Sequence, residues 1–403
     1  MKLSDVNLYN PDNFVAAPPH EMWRVLRREA PVYFHEEPGG PGFWCLTKHE
    51  DVKFASRSPH LFSSWIGGTN IEDRAEDQLA GMRALMLNMD PPQHRQFRSI
   101  VNKTFTPRMM KALEPRVRKM TARIVDNVAQ KGECDFVEEV AAQLPMEVIC
   151  EMIGVPVEDR PHIYDLSNKL IGFDDPEYQR SMNDAQVAAT QMFMYAAKLG
   201  EKVRREPSDD LATALVQAEV DGERLNELQF NSFFLLLCVA GNETTRTVTT
   251  NGMLELMRHP DQRRKLVENP RLIESAVEEI LRFAPAVHYF RRTATQDVEI
   301  RGKKIQKGQK ITMWYPAANR DEDVFREPET FDVARHPNDH LAFGIGEHFC
   351  IGSHLARMEL NFIFEELLRR IPEMELAAPP RRLRSNFVNG VKEMRVLFEP
   401  ERA

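Results

Sequence analysis

The chain has 403 residues, 42% of them hydrophobic and 28% charged, an ordinary globular composition that excludes a disordered or fibrous chain and provides for a sizeable core. The net charge of −8 gives no overall attraction to nucleic acid or to an anionic membrane, so an acidic partner would need a local basic patch. Five scattered cysteines form no CxxC pair, which argues against a zinc site and for a reducing compartment. No run approaches the ~18 apolar residues of a membrane span, and the first residues lack the apolar core of a signal peptide. A cytoplasmic protein with no membrane span is therefore expected. No Gly/Ser-rich linker or composition shift divides residues 1–403, so one domain is expected.

In chain order, Glu21 to Glu29 reads as a helix, Val32 to Phe34 and Phe43 to Leu46 as strands around a Pro/Gly turn, and His49 to Ser56 as a second helix. Residues 61–89 have no clean period and carry Trp65, Gly67, Gly68, Met82, Leu85, Met86, Leu87 and Met89. Such a segment is either a surface loop or a lid over an apolar pocket. Asp90-Pro91-Pro92 is expected to start a helix, with Asp90 as N-cap. His94 and Arg98 then share one face at a spacing of four, able to hold an anion or to be a solvated face. Thr106-Pro107 repeats the cap logic for a packing helix that runs to Gly132. From Asp135 to about Glu223 helical patches alternate with breakers.

A helix from about Asn226 to His259, stopped by Pro260, is apolar on every side through Phe233 to Ala240 and must be buried. Gly241-Asn242-Glu243-Thr244-Thr245 interrupts it. Glycine inside a helix costs ~1 kcal/mol relative to alanine, and Thr244 can bond back to the carbonyl of Ala240, so the helical ladder is expected to loosen there. A rule broken inside a buried helix points to a site. Thr244 could hold water or an oxygen species, and Glu243 could relay protons inward from solvent. Glu279 and Arg282 sit at a spacing of three, which on an exposed helix would contribute only ~0.2–0.5 kcal/mol. Pro285 to Phe290 reads as a strand leading into Arg291-Arg292. Ile300 to Tyr315 gives short strands around Lys307-Gly308, and Phe387 to Gly390 a hairpin tip.

The stretch Phe343-Gly344-Ile345-Gly346-Glu347-His348-Phe349-Cys350-Ile351-Gly352 is the most informative. Its glycines allow a tight turn that gathers backbone N–H groups, and Gly352 lets the chain pass close under a flat ligand. Ile351, Leu355, Met358 and Phe362 predict a buried helix starting at the cysteine, with its positive end aimed at the sulfur. A thiolate is favoured in such a place, with Phe343 and Phe349 shielding it from water. A structural cysteine after a glycine turn is the alternative.

FGIGEHFCIG resembles the haem-binding loop of the cytochromes P450, AGNETT resembles their oxygen-binding motif, PPxHxxxR their propionate-binding helix, and ExxR their core ion pair. The resemblance implies a mainly α fold with a small β-rich part, haem b as cofactor, and Cys350 as its iron ligand. It also implies that His94, Arg98, Ala240, Arg292, Phe343, His348 and Gly352 contact the haem, that Glu243 and Thr244 serve catalysis, and that Arg335 joins Glu279 and Arg282. Residues 61–89 become a lid, Ile171 to Ser181 a roof, and Met86, Leu87, Val239, Val287, His288 and Phe387 the substrate contacts. The implied reaction is insertion of one atom of O2 into a C–H bond of an apolar substrate, with electrons from ferredoxin and ferredoxin reductase. Arg95, Arg98 and Arg357 are the candidates for the ferredoxin-docking patch. AGNETTRTVTTNG, MWYPAANRDEDVF and LRSNFVNG resemble groups acting on sterols, branched lipids and terpenes. Another hydrophobic natural product, a peroxygenase and a haem-thiolate sensor are the alternatives; the last two have no need of the Glu243–Thr244 pair.

Overall fold

The longest helix, Glu227–Arg258, organises the molecule. Its start is fixed by reciprocal hydrogen bonds: the Asn226 side chain accepts from the Gln229 N–H at 2.9 Å, and the Gln229 side chain accepts from the Asn226 N–H at 2.9 Å. That satisfies two donors that a helix start otherwise leaves open. The structure is a computed structural model that describes every residue except 104, 106, 173, 179–183, 209, 221, 402 and 403. The proposed Thr106 cap and much of the Ile171 to Ser181 roof thus lie outside the described residues.

Helices Gln143–Met152, Arg160–Ile171, Asp184–Arg205, Ile273–Phe283 and Ser353–Arg370 pack around the central one. Because it is enclosed, it is apolar on all faces rather than on one stripe. The largest sheet of the β part is five-stranded, in the order Val32–His35, Phe43–Leu46, Lys310–Trp314, Tyr289–Ala294, Phe62–Ser63. The pair Phe43–Leu46 and Lys310–Trp314 is parallel and the other pairs are antiparallel. Alternation along these strands separates two apolar clusters, Leu46, Ile311 and Met313 in one and Phe43, Cys45, Tyr289 and Trp314 in the other.

Two local expectations fail. Asp90 does not cap a helix, because the next helix is Gln93–Asn102 with Pro92 at its N-cap. The Asp90 carboxylate is already engaged, accepting from the Ser63 hydroxyl and from the Ser64 N–H. Nor does the helical ladder break at Gly241 to Thr245, since the helix runs through unbroken. Thr244 does bond back to the Ala240 carbonyl, at 2.6 Å, but the neighbouring helices hold the ladder closed.

Candidate active site

Glu279 and Arg282 anchor the approach to the cysteine loop. Both side chains are fully buried, and their two hydrogen bonds measure 2.7 and 2.8 Å. Arg335 joins the same carboxylate at 3.1 Å, and Arg282 also donates to the carbonyls of Asn319, Pro328 and Thr330. A pair this well satisfied fixes the turn-rich segment from Asn319 onward against the helix Ile273–Phe283. Asn319 in turn accepts from the Leu341 N–H at 2.7 Å, just before the loop begins.

Within the loop, Gly344 and Gly346 take φ of +67° and +79°, a region that only glycine enters freely. A side chain at Gly346 would also strike the Ser56 carbonyl at 2.8 Å. The turn closes with the Cys350 N–H donating to Phe343 O at 2.9 Å. The helix behind it begins at Ser353 rather than at the cysteine, with Gly352 as N-cap. Burial pushes the Cys350 thiol up, but the Gly352 N–H, Arg98 and Arg357 act in the opposite direction. The other four cysteines are buried, and burial pushes Cys45, Cys134 and Cys150 to about 12. Phe343 stands beside the loop, half-buried, with the Arg357 guanidinium 4.5 Å from its ring. Phe349 is 38% exposed, so it covers the outer surface of the loop less than expected.

The four residues expected at the haem propionates come together. The His94 and His348 rings lie 4.2 Å apart, and Arg98 and Arg292 are close enough to influence both. Burial and Arg98 hold His94 down to about 4. Arg292 is buried and donates to the carbonyl of Arg291 at 2.8 Å. No carboxylate among the described residues forms an ion pair with Arg292 or Arg98, and His94 Nδ1 is buried without a partner. Asp90 and Glu347 lie nearby, but Ser63 and Ser64 take the first and Arg95 the second. Buried donors lacking an anion are what a group bearing two carboxylates would satisfy.

The central helix provides the second part of the fit. Ala240 is exposed in the middle of this enclosed helix, and Val239, Gly241 and Thr244 are half-exposed beside it. A Cβ on Gly352 would meet nothing within 4 Å. Open space along a buried helix and beneath the cysteine loop leaves room for a flat ring, so the residues present fit haem.

Among the expected substrate contacts, Leu87, Val287 and Phe387 are half-buried, and Val287 pairs with Val388 of the hairpin tip. Met86 is buried in the helical core. His288 departs from the expectation: it is fully buried against Phe14 and Trp23, with ring centroids at 5.1 and 5.5 Å. Its neighbour Tyr289 is likewise buried, its hydroxyl accepting from the Ile71 N–H at 3.3 Å.

Glu243 is only 2% exposed and forms an ion pair with Arg246 one turn along. Arg246 also donates to Tyr164 Oη at 3.1 Å and to Asn168 Oδ1 at 2.8 Å. Sequence reasoning missed this arginine, although an acid and a base three residues apart in an otherwise apolar, buried helix was a readable signal. Glu278 was missed as well: it accepts from Arg357 at 2.6 Å and pairs with His340 at 3.0 Å. Despite its burial, these two partners hold its carboxyl down to about 2.

Residues 17–375 match the model of the family described as Cytochrome P450. A methyl-branched lipid omega-hydroxylase of Mycobacterium tuberculosis is 44% identical over 385 residues, covering 93% of this chain and 90% of the relative. A steroid C26-monooxygenase of Rhodococcus jostii is 38% identical, covering 97% of this chain and 84% of the relative. Among solved structures, a Mycobacterium marinum cytochrome P450 in complex with pseudoionone superposes with a TM-score of 0.91 at 35% identity, covering 98% of both chains.

Proposed function

The chain belongs to the cytochrome P450 family, and from that membership we propose that it hydroxylates a neutral or weakly polar lipid of methyl-branched, steroid or terpenoid type. It is a monooxygenase with haem b as cofactor. The haem iron, when bound, supplies activation of O2, one oxygen atom entering a C–H bond and the other leaving as water.

Cys350 would hold the iron, its thiolate favoured by the Gly352 N–H, Arg98 and Arg357. His94, Arg98, Arg292 and His348 would receive the propionates, and Ala240, Phe343 and Gly352 would border the ring. Thr244 uses its hydroxyl proton on the Ala240 carbonyl, which leaves the oxygen free to accept a bond from water. Glu243 would be the acid supplying protons to that position. Val239, Val287, Leu87 and Phe387 would present apolar walls that select by shape and buried area. His288 has no part in this reading. Residues 1–403 form one domain in it, supported by ties between the two ends of the chain such as Asn386 to the Tyr9 carbonyl at 2.7 Å.

One observation carries the reading: Ala240 and Thr244 stand open in an otherwise enclosed helix, in a chain whose Cys350 sulfur receives a backbone N–H. The substrate class rests on the relatives named above. Electrons would come from a ferredoxin and its reductase, the ferredoxin docking on the cysteine side. Five free cysteines support a cytoplasmic location.

Titration with sterols, terpenoids and methyl-branched fatty acids, followed by product analysis, tests the assignment. At least one such lipid is expected to shift the haem spectrum and to be hydroxylated. Tight binding only of small aromatics, or only of polar macrolide glycosides, would overturn the substrate class while leaving the enzyme class standing.

A further inference from the structure

The acid of the acid–alcohol pair is fully engaged. Glu243 Oε2 pairs with Arg246, and Oε1 accepts from the Thr247 hydroxyl at 3.4 Å. A carboxyl held on both oxygens keeps one orientation, set by its partners, of which the ionic one is the stronger. Arg246 itself is buried, and its other terminal nitrogen reaches a different element, the helix Arg160–Ile171, through Tyr164 and Asn168. That helix leads directly into the segment expected to roof the substrate. One guanidinium therefore bridges the proton-relay acid and the helix Arg160–Ile171.

We propose that Arg246 is a positioning residue that makes the availability of Glu243 depend on the seating of the helix Arg160–Ile171. Its planar fork fixes two directions at once, so a displacement of Tyr164 and Asn168 must rotate the group that Glu243 binds. With that helix seated, the guanidinium has one orientation and the acid one rotamer. With the helix displaced, Arg246 loses two of its acceptors and the acid loses its fixed partner. Proton delivery is thereby tied to the presence of substrate. The inference rests on the reading of Glu243 as the relay acid and adds the element that controls it.

Tyr164→Phe and Asn168→Ala, singly and together, cut the roof contacts of Arg246 while leaving Glu243 and Arg246 in place. In haem-loaded protein the double variant is expected to bind the same lipid with unchanged affinity. The fraction of reductant ending as peroxide instead of product should rise about fivefold, the lower end of ordinary site-to-site coupling. Backbone hydrogen exchange over Arg160–Ile171, measured without turnover, should be slowed by lipid in the wild type and less so in Arg246→Gln. Arg246→Lys keeps the charge without the fork and should keep lipid affinity but lose coupling. Normal coupling in the double variant alongside poor coupling in Glu243→Gln would overturn the role of Arg246 and preserve that of the acid. Normal coupling in Glu243→Gln would overturn the relay reading itself. Loss of lipid affinity in parallel with coupling across all variants would reduce Arg246 to a structural clamp and overturn the proposal.

Discussion

Cys238 is buried and Cys350 half-buried, and burial raises both thiols, yet only Cys350 has a backbone donor and two guanidinium groups acting to lower it. Thiolate character follows such donors and charges more than it follows enclosure. In Cys350→His, the reduced carbon monoxide complex should lose its thiolate-type spectrum, and Cys238→Ser should leave that spectrum intact; the reverse pattern would move the ligand elsewhere. Thr244 provides a second residue-scale test. In Thr244→Ala lipid binding should persist, with more reductant ending as peroxide and less as product; unchanged coupling would leave Thr244 as a helix-shaping residue. Both positions were legible in the sequence because their chemistry is local: a glycine turn around one cysteine, a hydroxyl four residues after the carbonyl it bonds. The pairing of Arg246 with Glu243 was readable from their spacing, but its bridge to Tyr164 and Asn168 was not, because these lie about eighty residues upstream and no local pattern announces them.

The central helix was readable from end to end, since Asn226 and Pro260 are strong terminators and the apolar run between them has one physical solution. The helix after Pro92 was readable in existence but not in its start, because Asp90 had a choice of partners and the serines Ser63 and Ser64 won it. Tertiary hydrogen bonds of this kind override local capping preference. The helix Ser353–Arg370 carries a feature that periodicity could not reveal. Glu359 is buried, its Oε2 has no partner, and burial pushes its carboxyl up to about 8. Between its ordinary value of 4.5 and 8 the unfolded chain has released a proton that the folded chain keeps. Stability from this group is therefore complete below the ordinary value and declines as pH rises towards 8, by a few kcal/mol at about 1.4 kcal/mol per unit. Denaturant unfolding of Glu359→Gln at pH 5 and pH 8 should show a smaller difference between the two than the wild type does. An unchanged difference would mean that Glu359 ionises without cost, through a partner such as buried water.

At the scale of the molecule, the parallel pairing of Phe43–Leu46 with Lys310–Trp314 joins strands more than 250 residues apart, and nothing local specifies such a register. The surroundings of His288 were illegible for a related reason: Phe14 and Trp23 come from the N-terminal segment to enclose it, and no local pattern announces them. The expected docking patch changes too, because Arg95 is paired with Glu347 and Arg357 with Glu278. Neither is a free cation for a partner. The helix Pro107–Ala129, which packs on the helix that follows Cys350, offers other candidates. Its Arg118 packs 3.8 Å from the Phe362 ring and 3.2 Å from Glu365, both on the helix that follows Cys350. Arg108, Lys111 and Lys119 are exposed on it, and among the described residues no carboxylate forms an ion pair with any of them. A net charge of −8 would repel an acidic ferredoxin at long range, so such a partner would need a local surface of this kind, and exposed charges act within a Debye length of ~10 Å at 0.1 M salt. Lys111→Glu with Lys119→Glu should slow electron transfer from an acidic ferredoxin about tenfold at low ionic strength. The gap from the wild type should close as salt is added. Arg357→Glu should act differently, disturbing the Glu278 bridge and with it haem retention, at any salt concentration. Equal electron-transfer rates for the wild type and the double reversal at low salt would take the ferredoxin off this helix.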